Sequence, residues 1–545
     1  MQMRSFTPSR WASSVRPIPP WVQYGLTLLI VVGVILHGYR LGGKLYWHDE
    51  AYTSLRAAGF QGSEIGEALF SDRPFSPSDL LTFQAIKPDS TPIDTILSLA
   101  KEDPQHPPLY FLLTRWWMRL FGSSEVATRS LAVLFSLLAL PVIYGLSLEL
   151  FASPLAAQLT MLLLALSPFD ILFAQVARQY SLLTLFTVLS SWLLLRALRP
   201  TRQLLWFWGA YVLASAGGLY SHPFFALTLV AHGAYTLSRQ FLAAPSRFSL
   251  GSFAGRQRSP LADYLKAMVV TFLLYAPWAW VMATNLGRAL ATTSWSQGFP
   301  GWVTVTKFWV LSFTSVFFDL NVPFESPLVY LIRLPYLLLI GVAFWAVNRR
   351  SPPEASLFIL TSFWVPFLLL ALPDVVLSTQ RSTVSRYLIP CYPAIQLAVG
   401  YWLAIAWNQF KRPFWYAMMG ILLAGSLASI LVSAHASTWW NRTPSLFNGE
   451  MAEYINALPA PLVISDPGVD GTNLGDLLSL AFLVDERVTF LLLSPTSSVD
   501  VAAALESADG VFFRPSGALR SRASQIAGPL EAINPAGGLW QVPAP

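Results

Sequence analysis

Residues 108–121 read PLYFLLTRWWMRLF, and whether this stretch crosses a membrane decides the arrangement of everything after it. It is short beside the roughly 20 apolar residues that a spanning helix needs. It also carries Arg115 and Arg119 among its aromatics, a pattern that suits an amphipathic helix lying in the interface. The basic residues elsewhere supply a test, because cytoplasmic loops collect Lys and Arg. If 108–121 does not cross, Arg4, Arg10 and Arg16 share a side with Arg196, Arg199 and Arg202. The same side then holds Arg239, Arg247, Arg256, Arg258 and Lys266, then Arg349 and Arg350, then Lys411 and Arg412. If it crosses, every cluster after the first moves outside. The non-crossing reading is the consistent one, and it places the N-terminus in the cytoplasm.

The rest of the chain requires a membrane. Of 545 residues, 54% are hydrophobic and 12% charged, with a mean hydropathy of +0.51. Soluble domains carry roughly 25% charged residues, so this chain lacks the polar surface to face water. Uncharged runs occupy 21–38, 130–148, 204–221, 267–284 and 413–434. Spans are expected near 21–39, 128–149, 154–173, 180–196, 204–221, 223–238, 266–284, 328–347, 356–373, 387–408 and 413–434, which makes about eleven helices. The first apolar run is too long for a signal-peptide core, and Arg40 and Lys44 follow it without a small-residue cleavage site, so it reads as a retained anchor. Cys391 is the single cysteine, which excludes an intrachain disulfide and a cysteine metal cluster. The net charge of +6 resides in short loops between spans, so it marks membrane topology and no nucleic-acid partner.

The expected fold class is therefore an all-α polytopic membrane protein with a small α/β domain at its C-terminal end. Residues 1–20 form a cytoplasmic tail, 21–435 the membrane domain, and 436–545 the extracytoplasmic domain. That last region alternates helix-like EMAEYINAL and VDVAAALES with β-like PLVIS, TFLLL, GVFF and LWQV. Two loops join it outside: 40–127, and 285–327 with an apolar stretch at 308–318 that could dip into the membrane. The segment 239–265, rich in Ser, Arg, Pro and Gly, reads as a mobile cytoplasmic connector.

On this topology several polar residues converge at one membrane surface. Asp49 and Glu50 stand in YWHDEAYT (46–53), shortly beyond the first span. His106 ends the first outer loop in HPP, and Gln175, Arg178, Gln179 and Tyr180 sit where the third span meets the fourth. His222 lies in a tight turn, and Arg386 and Tyr387 open the tenth span. Singly each has an ordinary explanation: Pro-Pro starts helices, arginines snorkel, and tyrosines belong to the interfacial belt. Jointly they point to a site, because ionisable groups at helix ends facing one cavity are functional by default.

The segments HPPLYFLLTRWWMRLFGSSEVATRSLAVLF (106–135), LALSPFDILFAQVARQYSLL (164–183), LYSHPFFAL (219–227) and SRYLIPCYPA (385–394) resemble the landmarks of glycosyltransferase family 39-like proteins of the GT-C fold. These include the bacterial dolichyl-phosphate-mannose-protein mannosyltransferase and RgtA/B/C/D-like group. Two positions depart from the family pattern: Val176 replaces a frequent acid, and Ser221-His222-Pro223 replaces T-H-Y. The resemblance implies transfer of a hexosyl or pentosyl group from a polyprenyl-phosphate-linked donor to a hydroxyl of a protein, lipid or glycan, with inversion. It implies Asp49 as the general base that takes the acceptor proton. Glu50 is then expected to orient the acceptor or help hold a cation. Arg178 and Arg386 are candidates for the leaving phosphate, since the guanidinium fork matches phosphate oxygens, with Tyr180 and Tyr387 as donors. His106 and His222 could bind donor phosphate or sugar, or hold a divalent metal with a carboxylate, although the spacing is a weak metal signature. The competing reading is a secondary transporter or lipid flippase. Transporters tend to show repeated halves and midplane charges, whereas here no repeat is evident and the charges fall at span ends.

Overall fold

A computed structural model describes residues 17–199, 203–242 and 259–542. Arg4, Arg10, Arg16, Arg202, Arg247, Arg256, Arg258 and the greater part of the connector 239–265 lie outside the described residues. Among the described residues, eight helices are long and apolar enough to span: Pro20–Gly38, Glu125–Phe151, Tyr180–Ala197, Pro260–Thr284, Pro327–Arg350, Pro353–Leu377, Ser385–Gln409 and Arg412–His435. A ninth candidate is the pair Pro154–Ala165 and Pro168–Ala174, bent by 53°. The chain breaks there because Pro168 has no N–H with which to continue the first helix. Ser167 Oγ instead accepts the Asp170 N–H at 3.2 Å and caps the second. Leu204–Ser221 and Phe225–Leu242, each 18 residues long, occupy the two remaining expected positions.

The deciding stretch forms the helix Leu109–Phe121, which is not among the span candidates. Its outer face exposes Trp116, Leu120 and Phe121. Its inner face buries Arg115 completely, and the guanidinium donates to the carbonyls of Ala57 at 3.1 Å, Ala58 at 2.9 Å and Ser90 at 2.6 Å. Ala57 and Ala58 end the helix His48–Ala58. Arg115 thus satisfies carbonyls left open at a helix C-terminus, where a cation is favoured. The apolar stretch 308–318 proves to be largely helical, within Trp302–Thr314, and sets Trp309 and Phe313 against Phe367 at 5.2 and 5.3 Å between ring centres.

The α/β region forms one six-stranded sheet in the order β1-β3-β2-β4-β6-β5. The strands are β1 (Arg73–Phe75), β2 (Pro461–Ser465), β3 (Thr489–Leu492), β4 (Asp509–Phe513), β5 (Glu531–Asn534) and β6 (Leu539–Gln541). β2 pairs in parallel with β3 and β4. β1 comes from the loop that follows the first span and pairs antiparallel with β3, Arg73 opposite Leu492. One apolar cluster accordingly joins Ala51, Leu55, Ile65 and Leu69 of that loop to Leu474, Leu477, Phe490 and Val511. The membrane helices share a separate, larger core.

Helices without a hydrophobic drive between them pack by close backbone approach at small residues. Gly33 is such a point: a Cβ added there would lie 2.5 Å from the carbonyl oxygen of Ala165, whereas one at Gly25 would meet nothing. Gly33→Leu should therefore lower the unfolding temperature of the detergent-solubilised protein, overpacking costing about 1–3 kcal/mol, while Gly25→Leu should leave it unchanged. Equal melting of the two variants would contradict this packing.

Candidate functional site

Asp49 and Glu50 occupy the first turn of the helix His48–Ala58. Adjacent residues on a helix diverge by about 100°, and here they enter different environments. Glu50 is fully buried. Arg129 grips it with two bonds, Nε to Oε1 and Nη2 to Oε2, both 2.8 Å. Arg442 Nη1 donates to Oε2 at 2.8 Å and the Ala177 N–H to Oε1 at 2.7 Å. Burial alone would raise the Glu50 carboxyl, but Arg129 and Arg442 outweigh it and hold the group below the usual range. The expectation that Glu50 orients the acceptor or holds a cation is corrected: its oxygens are taken by protein donors and solvent does not reach it. Gln175, also expected among the converging groups, donates to the carbonyls of Leu36 at 3.2 Å and Tyr39 at 3.0 Å and so closes the end of the first span.

Asp49 faces the other way, with its side chain 24% exposed. Arg178 Nη2 stands 3.8 Å from Asp49 Oδ2. The same guanidinium donates to Thr53 Oγ1 at 3.1 Å and to the Asp49 carbonyl at 3.3 Å, and reaches His106 Nε2 at 3.3 Å. An arginine can only donate, so His106 Nε2 accepts and the ring proton resides on Nδ1. Gln179 lies 3.3 Å from that Nδ1, and its Oε1 is otherwise without a partner. Rotation of the amide turns that oxygen to the Nδ1 proton. Burial first, then the charge of Arg178, pushes the His106 imidazole well below its ordinary value. His222 moves the same way, through burial and then the neighbouring His106, Arg178 and Arg386. Its Nδ1 accepts the Phe224 N–H at 3.1 Å. Both histidines are therefore neutral hydrogen-bonding groups.

The remaining candidates close the site through ring contacts. Tyr180 lies 6.3 Å from His222, and His222 lies 6.5 Å from Tyr387, between ring centres. Arg386 places its guanidinium 5.7 Å from the rings of both Trp295 and Tyr387, and the charge of Asp49 acts on it. The structure thus gathers Asp49, His106, Arg178, Tyr180, His222, Arg386 and Tyr387, and separates Glu50 from them. Thr53 and Trp295 belong with the group. No local pattern in the sequence marks them, since Trp295 arrives from the loop after the seventh expected span. Among the described residues no three His, Cys, Asp or Glu side chains cluster as metal ligands.

Comparison with known proteins agrees with the family resemblance. Residues 105–253 match the family model described as dolichyl-phosphate-mannose-protein mannosyltransferase; this segment contains His106, Arg178, Tyr180 and His222, while Asp49, Arg386 and Tyr387 lie outside it. Two solved structures share the fold over nearly the whole length. ArnT from Cupriavidus metallidurans bound to undecaprenyl phosphate superposes with a TM-score of 0.54 at 13% identity, covering 96% of this chain and 98% of that one. Its apo state gives 0.52 at 13%, covering 95% and 98%. The fold is thus the GT-C type. No curated protein matches the chain by sequence.

Glu50→Gln should act on folding before it acts on chemistry. Breaking a buried ion pair on one side costs about 3–5 kcal/mol, so this variant and Arg442→Ala should both yield less monodisperse protein and melt earlier. A Glu50→Gln protein that melts like the parent would remove Glu50 from the framework.

Proposed function

We propose that this chain is an inverting membrane glycosyltransferase that moves a sugar from a polyprenyl-phosphate donor to a hydroxyl acceptor at the extracytoplasmic face, with Asp49 as general base. The observation that carries the reading is the pairing of a partly exposed carboxylate with a buried guanidinium, Asp49 with Arg178 at 3.8 Å, beside a second arginine. In the reaction the acceptor oxygen attacks the anomeric carbon as Asp49 takes its proton. The bond from that carbon to the phosphate oxygen breaks on the opposite side, and the electron pair leaves with the polyprenyl phosphate. Arg386, set against the rings of Trp295 and Tyr387 and within the influence of Asp49, is assigned to the charge of the departing phosphate. Preorganised charge of this kind lowers barriers by several kcal/mol. Tyr180 and Tyr387 supply hydroxyl donors beside it. Neutral His222, whose Nδ1 accepts from the Phe224 N–H, offers its Nε2 proton to a sugar oxygen, while His106, engaged at both ring nitrogens, holds Arg178 in place.

The orientation rests on charge placement. Tyr180 begins the helix Tyr180–Ala197 at the site, and Arg196 ends it away from the site. At that far end Arg196 and Arg199 meet Glu149 at 3.4 and 2.6 Å, and Arg239 meets Glu354 at 3.2 Å. A basic far end supports a cytoplasmic assignment there, hence a site and sheet region outside, in a plasma membrane. Strong charges at span ends also favour transfer over transport.

Asp49→Asn should fold and insert normally and lose at least about 100-fold of turnover, read by mass spectrometry as polyprenyl phosphate released from a panel of lipid-linked sugars. Undiminished release would defeat the base assignment. Arg386→Ala and Arg178→Ala should weaken donor use more than acceptor use. For orientation, Cys391 is buried, so a cysteine introduced at exposed Ser498 can be labelled cleanly in intact cells. Protection from a membrane-impermeant maleimide would reverse the topology.

A further inference from the structure

His48, the residue before Asp49, has no part in the reading above, yet it is held by groups from beyond the last span. Its backbone N–H donates to Ser445 Oγ at 2.9 Å, and Ser445 Oγ donates to Asp476 Oδ1 at 2.5 Å. The His48 ring Nδ1 lies 3.6 Å from Asp476 Oδ2, an oxygen that Arg514 also holds. Asp476 is 1% exposed. The helix that carries it, Asn473–Ala481, meets the helix His48–Ala58 at a glycine. A Cβ on Gly475 would stand 2.6 Å from His48 Nδ1 and 2.6 Å from Tyr52 Cε2, so only a residue without a side chain admits the two rings.

We propose that Asp476, acting through His48 and Ser445, is a positioning residue that fixes the first turn of the helix His48–Ala58 and so aims Asp49 at the acceptor hydroxyl. The proposal rests on Asp49 as the base. It makes the C-terminal α/β region a working part of the transfer centre. A packing contact alone would be served by an apolar residue, because a buried charge costs several kcal/mol unless it is paired. Here the carboxylate sits where it can direct a backbone N–H and a ring one residue away from Asp49. Burial lowers the His48 imidazole, but Asp476 and Asp49 together more than offset this and raise it, so the contact is charge-assisted.

The test uses the full chain in lipid nanodiscs with a polyprenyl-phosphate sugar and its acceptor. Asp476→Asn should reduce kcat about 10–100-fold, the scale of a small misplacement of a reacting group, with KM for the donor within about twofold. Asp476→Glu should recover part of the loss, and His48→Phe combined with Asp476→Asn should be no worse than either alone. Amide exchange at residues 48–51 should quicken in Asp476→Asn while strands β2 and β4 stay protected. Unchanged exchange at 48–51 overturns the proposal, as does parental kcat in Asp476→Asn when Asp49→Asn is inactive. An active Asp49→Asn would instead remove the base assignment itself, and the exchange result would still decide whether Asp476 orders the turn.

Discussion

Everything at the proposed reaction face hangs on one buried carboxylate held by two guanidinium groups. Glu50, Arg129 and Arg442 are each fully buried, and no member could remain charged there without the others. Arg129 also donates to the carbonyls of Leu41, Lys44 and Leu45, all at 2.9 Å. Arg442 donates to Leu45 O at 2.7 Å and Gln175 O at 3.2 Å. The cluster therefore ties together the end of the first span, the start of the second, the break after the bent pair and the chain leaving the last span. The helix bearing Asp49 is locked at its first turn by this cluster and at its last turn by Arg115.

That rigidity has a chemical consequence. Next to the lock lies a region where the imidazoles of His106 and His222 are neutral and positive charge is concentrated in arginines. Burial suppresses histidine protonation, and the neighbouring guanidinium groups suppress it further. Arginine does not yield its proton in such surroundings. The result is a fixed positive field beside a partly exposed acid, with His106 and His222 kept uncharged on the side of Arg178 and Arg386. This arrangement is what the proposed departure of a phosphate from a sugar calls for.

Much of this was legible in the chain and some was not, for identifiable reasons. Helix positions follow hydropathy, a local property, so the eleven expected regions are helical. The bend at Ser167–Pro168 was written in the sequence but absorbed by its apolar surroundings. β2, β3, β4 and β6 announced themselves as short apolar runs. β1 is three residues including a proline, and β5 carries no apolar alternation, so pairing with neighbours makes them strands. Asp49, as base, and Glu50, as acceptor-orienting or cation-holding group, are expected at one centre because a sequence shows adjacency and not direction. The helical rotation between them sends one toward Arg178 and the other into the arginine pair.

The sequence by itself determined that the chain lives in a membrane, where its spans fall, which landmarks resemble a sugar-transferring family, and which end of the bundle carries the polar cluster. These depend on composition, run length and motif order, all local quantities. Tertiary structure alone decided which acid is open and which is structural, that His106 and His222 are neutral, and that Asp476 stands behind His48. Those outcomes depend on burial and on charges brought within a few ångströms from positions hundreds of residues apart, and electrostatic coupling follows distance in space rather than along the chain.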